Sequence, residues 1–141
     1  MSTATPPNPV ITISTLDMAR LEHLLEQPAY RDQETALRLS DELVRANVVA
    51  PAQIPANLVT MNSTVTCVEE ISGKEHQLTL AYPQEADATK GRISVLAPIG
   101  AALLGLSVGQ SIDWSAPDGR PLRVRVAAIS YQPEAAGDLT R

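Results

Sequence analysis

The feature that most restricts this chain is a change of hydrophobic period around Pro51 and Pro55. Before it, apolar residues recur at three and four. Met18, Leu21, Leu24 and Leu25 form one helical stripe, and Ala36, Leu37, Leu39, Leu43 and Val44 form a second. After it the period is two. Val59, Met61, Ser63, Val65 and Cys67 alternate with Thr60, Asn62, Thr64, Thr66 and Val68, as in a β-branched strand. A chain that switches period once builds helices first and a sheet second, which is the α+β class.

The helical part reads as a short antiparallel hairpin. Ser14 to Asp17 is a capping-box-like start, Pro28 ends the first helix, and Asp32 suits the N-cap of the second. The turn between them is short, so the helices should lie side by side. Both are too short to be stable alone and must lean on the rest of the protein. Residues 1–13 read as a flexible tail, 14–50 as the hairpin, and 51–141 as the sheet domain.

In that domain Gly73 marks a turn, and Leu78, Leu80 and Tyr82 alternate in a second strand. Arg92 to Leu96 is a third. Pro98 suits the first position of a short helix and Gly105 its C-terminal cap. Ile112 and Trp114 belong to a fourth strand, Pro117-Asp118-Gly119 to a turn, and Leu122, Val124 and Val126 to a fifth. Ile129 and Tyr131 continue the apolar set one residue out of phase, which predicts a bulge. The polar end from Gln132 reads as loose. The expected sheet is mostly antiparallel with one short helix.

Charge and composition remove several function classes. The formal net charge is −5, the wrong sign for a protein that grips nucleic acid mainly through phosphates. Aromatics make up 3%, with no Phe, which is poor material for base-stacking platforms. One Cys and two His cannot make a Cys-rich zinc site, and His23 and His76 lack ligands at helical spacing. Cys67 reads as a structural thiol with no neighbouring base. Gly100 and Gly105 have phosphate-loop spacing, but Leu106 stands where that motif needs Lys. No metal, cofactor or catalytic group is expected. Glu22, Glu26, Asp32 and Glu34 gather acids around the hairpin turn, and a solvated face explains them better than a metal site. Arg120, Arg123 and Arg125 near the end are either solvation or an edge for an acidic partner. The start of the chain carries no leader-like pattern and no stretch is long enough to span a membrane, so a soluble cytoplasmic protein is expected.

The most informative stretch is Leu96 to Leu106, which is almost wholly apolar. A short helix on a small sheet buries one face, so the corner at Leu96, Ala97, Pro98, Ile99 and Gly100 is expected to be partly exposed, as protein contacts are.

These residues carry a resemblance. Gly91 to Val95, Pro98 to Gly105, Val108-Gly109, Ile112 and Pro117-Asp118-Gly119 resemble the C-terminal domain of the GreA/GreB transcript cleavage factors. Val59 to Ser63, Ala97-Pro98 and Tyr131 to Asp138 are similar to the Rnk branch of that family, regulators of nucleoside diphosphate kinase. The resemblance implies an FKBP-like C-terminal domain, an N-terminal coiled coil, and docking on RNA polymerase at the rim of the secondary channel. It implies polymerase contacts at Leu96, Ala97, Pro98, Ile99 and Gly100, with Met61 and Asn62, and a hairpin tip at Glu26, Tyr30 and Asp32. The cleavage factors reach the polymerase active site with a long coiled coil tipped by Asp-x-x-Glu. Here the helices are too short and that motif is missing. The expected function is therefore a monomeric, non-catalytic regulator that competes with Gre-type factors and influences nucleoside diphosphate kinase levels. It needs no sequence-specific nucleic-acid contact. The alternative is an FKBP-like prolyl isomerase, with Tyr82, Trp114 and Tyr131 as the available aromatics, or a residual cleavage stimulator.

Overall fold

The computed structural model describes residues 10–115 and 120–138. Strand β1 (Thr12–Ser14) leads directly into helix α1 (Thr15–Glu26). Helix α2 (Glu34–Val44) and strand β2 (Asn47–Val49) follow. The Ser14 side chain accepts the Asp17 amide at 3.0 Å and so caps α1, as the sequence suggests. The cap of α2 differs from expectation: Gln33 holds it, not Asp32, and makes no side-chain cap bond. Backbone bonds from Tyr30 and Arg31 to the Gln27 carbonyl already organise the turn. Asp32 is left exposed within it.

The second half is a five-stranded mixed sheet in the order β5-β4-β3-β7-β6. Its strands are β3 (Thr64–Glu69), β4 (Glu75–Ala81), β5 (Arg92–Ser94), β6 (Ser111–Ser115) and β7 (Pro121–Tyr131), with α3 (Pro98–Leu103) between β5 and β6. The expectation of an antiparallel sheet needs one correction. β4 and β5 run parallel, because the chain leaves β4 and returns through two short 3₁₀ turns to pair Thr79 with Arg92. The first strand is also shorter than its alternation suggests, since Val59 to Ser63 form a mostly buried irregular segment ahead of β3. The phase shift near Ile129 has its counterpart in two register breaks between β3 and β7. The turn at residues 117–119 lies outside the described residues.

One face of the sheet carries Val65, Cys67, Leu78, Leu80, Ile112, Val124 and Val126, all buried. These join Leu21, Leu24, Ala36, Leu39 and Leu43 of the helices in one hydrophobic core. The helical segment is thus built onto the sheet and shares its interior, which is how helices of this length are held.

The tail reading fails at its last three residues. Ile11 and Ile13 are 2% and 1% exposed, and β1 pairs in parallel with β2. Ile11 packs on Gly105, where a Cβ would lie 2.3 Å from the isoleucine Cβ and φ is +80°. Only glycine allows both that backbone turn and that approach. The C-terminal end is not loose either. Gln132 is buried, and its side-chain amide donates to the carbonyls of Leu58 at 2.6 Å and Pro55 at 2.8 Å.

Candidate functional site

Residues 58–63 are the point on which several elements converge. Gln132 holds Leu58. The Val59 amide donates to the Leu106 carbonyl, and the Gly105 amide donates back to the Val59 carbonyl. The Thr60 hydroxyl donates to Glu134 at 2.8 Å and lies 2.9 Å from the Ser63 hydroxyl. The Met61 amide donates to the Asp17 carboxylate at 3.2 Å, and the Asn62 amide to the Leu80 carbonyl at 2.7 Å. Asn62 stands at the apex with φ of 68°, a left-handed conformation that asparagine tolerates.

Asp17 is the unexpected member. It is 2% exposed, although it sits in the first turn of a helix. Burial pushes its carboxyl up to about 6, with Glu134 nearby adding to the rise; the Met61 amide, the Tyr82 hydroxyl and Arg20 oppose it. The Tyr82 hydroxyl donates to it at 3.4 Å, and burial and that charge push the phenol well above its ordinary value. Asp17 thereby ties α1 to both the 58–63 segment and the end of β4.

Beside this junction runs a groove of about 900 Å³. Helix α1 supplies Arg20 and His23 to one wall, with Gln27 at its C-terminal cap. The sheet end supplies Asn62, Thr64, Thr79 and Tyr131, and Tyr82, Glu85 and Arg92 lie in the lining with them. Thr64 and Thr79 are cross-strand partners whose hydroxyls lie 2.8 Å apart.

The expected contact residues do not form one exposed corner. Leu96 is 8% exposed, Met61 1%, and Gly100 is buried against the Ser94 carbonyl. A Cβ on Gly100 would lie 2.2 Å from that oxygen, so this glycine lets α3 approach β5. Ala101 to Leu106 are all buried. Ala97, Ile99 and Asn62 remain half-exposed, Ile99 with part of its side chain packed against the core. Pro98 occupies the first turn of α3. The apolar stretch is core because α3 packs on β5, β6 and β7 and turns its face inward. The larger exposed apolar side chains lie elsewhere, Leu37 and Val44 on α2 among them, at 55% and 83%. At the hairpin tip Glu26 and Asp32 are exposed, while Tyr30 is half-buried against the core.

The remaining titratable groups have local explanations. Cys67 is buried, and burial with Glu69 nearby pushes its thiol up to about 11, which disfavours the thiolate at neutral pH. His76 contacts Glu69. Arg123 bridges Glu70 at 3.2 Å and Asp113 at 2.7 Å, and Arg125 reaches Glu70 at 3.5 Å. The basic strand is thus paired within the sheet. Among the described residues no three His, Cys, Asp or Glu side chains are grouped to hold a metal ion. No described helix is long and apolar enough to cross a membrane.

Sequence reasoning did not single out Asp17, Gln132 or Glu134 as joints of the fold. An acid in a first helical turn looks like an ordinary dipole partner, and a polar C-terminal run looks like solvated chain. Burial was the missing information, and it depends on contacts 44 to 77 residues away in sequence.

Two family models match the chain. One described as transcription elongation factor GreA/GreB, C-terminal, covers residues 54–131, and one described as the Rnk N-terminus covers residues 9–49. The chain belongs to the GreA/GreB family. Within it, the chain is 45% identical over 130 residues to the regulator of nucleoside diphosphate kinase of Escherichia coli K12, covering 92% of this chain and 96% of that protein. It is 30% identical to the transcription elongation factor GreA of Bradyrhizobium diazoefficiens, over 69% of this chain and 62% of that factor. A solved structure titled prokaryotic transcription elongation factor GreA/GreB, from Nitrosomonas europaea, superposes with a TM-score of 0.70 at 48% identity. The match covers 87% of this chain and 99% of that one. The Rnk N-terminal match begins at residue 9, consistent with Ile11 and Ile13 being part of the folded unit.

Proposed function

We propose that this protein is a non-catalytic transcription regulator that docks on RNA polymerase at the rim of the secondary channel and competes there with Gre-type factors. The observation that carries the reading is a contrast. The chain has the GreA/GreB C-terminal domain, but its helices α1 and α2 hold only 12 and 11 residues. At 1.5 Å per residue they extend about 18 Å and 16 Å, too little for a probe that reaches into a large enzyme. Their joining turn presents Glu26 and Asp32, with no third ligand grouped beside them among the described residues. The docking half of a cleavage factor is therefore kept without the cutting half.

The polymerase contact falls on Ala97, Pro98 and Ile99, with Asn62 as a further contact. Leu96, Gly100 and Met61 support it from inside. The protein acts as a cytoplasmic monomer, and any effect on nucleoside diphosphate kinase runs through transcription of its gene. The FKBP-like isomerase reading has no further observation behind it, since the groove mixes Leu24, Ala81, Tyr82 and Tyr131 with polar side chains.

The test is binding to purified core polymerase with and without a cleavage factor. Ile99→Asp should abolish the complex, with the fold checked by its melting temperature because Ile99 also packs against the core. Leu37→Asp on α2 should leave it unchanged. Retained binding in Ile99→Asp together with loss in Leu37→Asp would move the interface to α2.

A further inference from the structure

We propose that Asp17 and Glu134, carboxylates from the first helix and from beyond the last strand, form a proton-operated clamp on the turn at residues 60–62, tight when Asp17 carries a proton and loosened when it is charged. The two acids grip adjacent residues. Asp17, 2% exposed in the first turn of α1, accepts the Met61 amide at 3.2 Å. Glu134 accepts the Thr60 hydroxyl at 2.8 Å. The turn they hold belongs to no helix or strand. Its apex, Asn62, sits at φ of 68°, a conformation that a non-glycine residue keeps only where its surroundings fix it.

Charge works against this grip. A buried carboxylate loses its hydration, and the like charge of Glu134 lies close enough to oppose it further. Among the described residues, Arg20 on α1 and Tyr82 after β4 are the other charged or titratable groups that act on Asp17. Both favour its charged form, as does the Met61 bond, and burial with Glu134 outweighs them. The carboxyl is raised from 3.8 to about 6 as a result. Opening of the turn returns Asp17 to water and to its ordinary range, so the closed joint holds a proton that the open joint gives up. Closure is complete below 3.8 and weakens as pH rises through about 6. Residues 135–137, just beyond Glu134, are exposed, and such segments open before a sheet does. The charge on Asp17 thus releases a local turn, Asn62 with it, while the sheet stays paired. This assignment does not rest on polymerase docking, and its test contains no polymerase.

The experiment is amide hydrogen exchange, followed by NMR on the full chain from pH 5 to 7.5. Each rate is divided by the intrinsic rate at that pH to give an opening constant. The Met61 opening constant should rise about tenfold across the range, the factor required by a carboxyl at 3.8 when open and about 6 when closed. Met61 should also open more readily than the β3–β7 ladder, which reports unfolding of the whole sheet. Asp17→Asn, with its fold checked by melting temperature, should make the Met61 constant independent of pH. Glu134→Gln, which keeps an acceptor for the Thr60 hydroxyl but no charge, should show a smaller rise than wild type. Glu22→Gln, an exposed acid on the same helix, should change nothing. Three results overturn the clamp. A Met61 constant that is flat or falls with pH, or a rise that persists in Asp17→Asn, removes Asp17 from it. A single opening constant for Met61 and the ladder at every pH makes the effect global unfolding. A full tenfold rise in Glu134→Gln leaves one carboxylate at work where the clamp needs two.

Discussion

The substitution Asp17→Asn isolates the cost of a buried charge. The Asp17 carboxyl lies at about 6 in the folded protein against an ordinary 3.8. Between those values the folded state holds a proton that the unfolded state has lost. Stability from this group is therefore complete below the unfolded value and is lost as pH rises through the folded one. A separation of about 2.2 units corresponds to about 3 kcal/mol of destabilisation above pH 7, at about 1.4 kcal/mol per unit. Linkage leaves about half of this at pH 5, so acidification from pH 7.5 to 5 recovers about 1.4 kcal/mol. Glu134, Tyr82 and Arg20 also face Asp17, and all three remain in the variant. The Asp17→Asn side chain keeps an acceptor for the Met61 amide and carries no charge. The difference in unfolding free energy between wild type and Asp17→Asn therefore isolates this group. Urea titrations at pH 5, 6, 7 and 7.5 should show wild type gaining on the variant by about 1.4 kcal/mol as pH falls across that range. Parallel curves, or wild type losing ground on acidification, would refute the burial argument.

Other consequences follow from packing and pairing. Ile11→Ala should cost about 2–5 kcal/mol in denaturant unfolding, because its side chain is core against Gly105; a cost near zero would restore the loose-tail reading. Gln132→Ala leaves the Leu58 and Pro55 carbonyls without their partner and should cost about 1–3 kcal/mol in the same assay. Arg123→Ala should leave the urea midpoint nearly unchanged despite two ion pairs, since those pairs are solvent-exposed and screened at physiological salt.

Local periodicity was legible in the amino-acid pattern. The Met18–Leu25 stripe, the Ser14 cap, Pro98 opening α3 and the phase break at Ile129 all have counterparts in the structure. Each is decided within a few residues, where pattern and propensity act. What escaped is decided by distant neighbours. Val10-Ile11-Thr12-Ile13 alternates like a strand, yet a three-residue strand makes sense only once β2 lies beside it. β5 is parallel to β4 because of the path through residues 82–91, which no alternation encodes. The apolar run at Leu96–Leu106 was ambiguous for the same reason. Composition cannot tell a core helix from an exposed corner, and here β5 and the sheet cover most of it. The groove stayed invisible because its Arg, Tyr and Asn residues come from separate segments.

The most direct measurement of the docking account is a competition experiment on backtracked elongation complexes. The purified protein, added alone, should leave the transcript uncut, and added in excess it should suppress cleavage stimulated by a Gre-type factor, with Ile99→Asp losing that suppression. Cleavage by the protein alone, or undiminished cleavage by the competing factor at saturating protein, would contradict it.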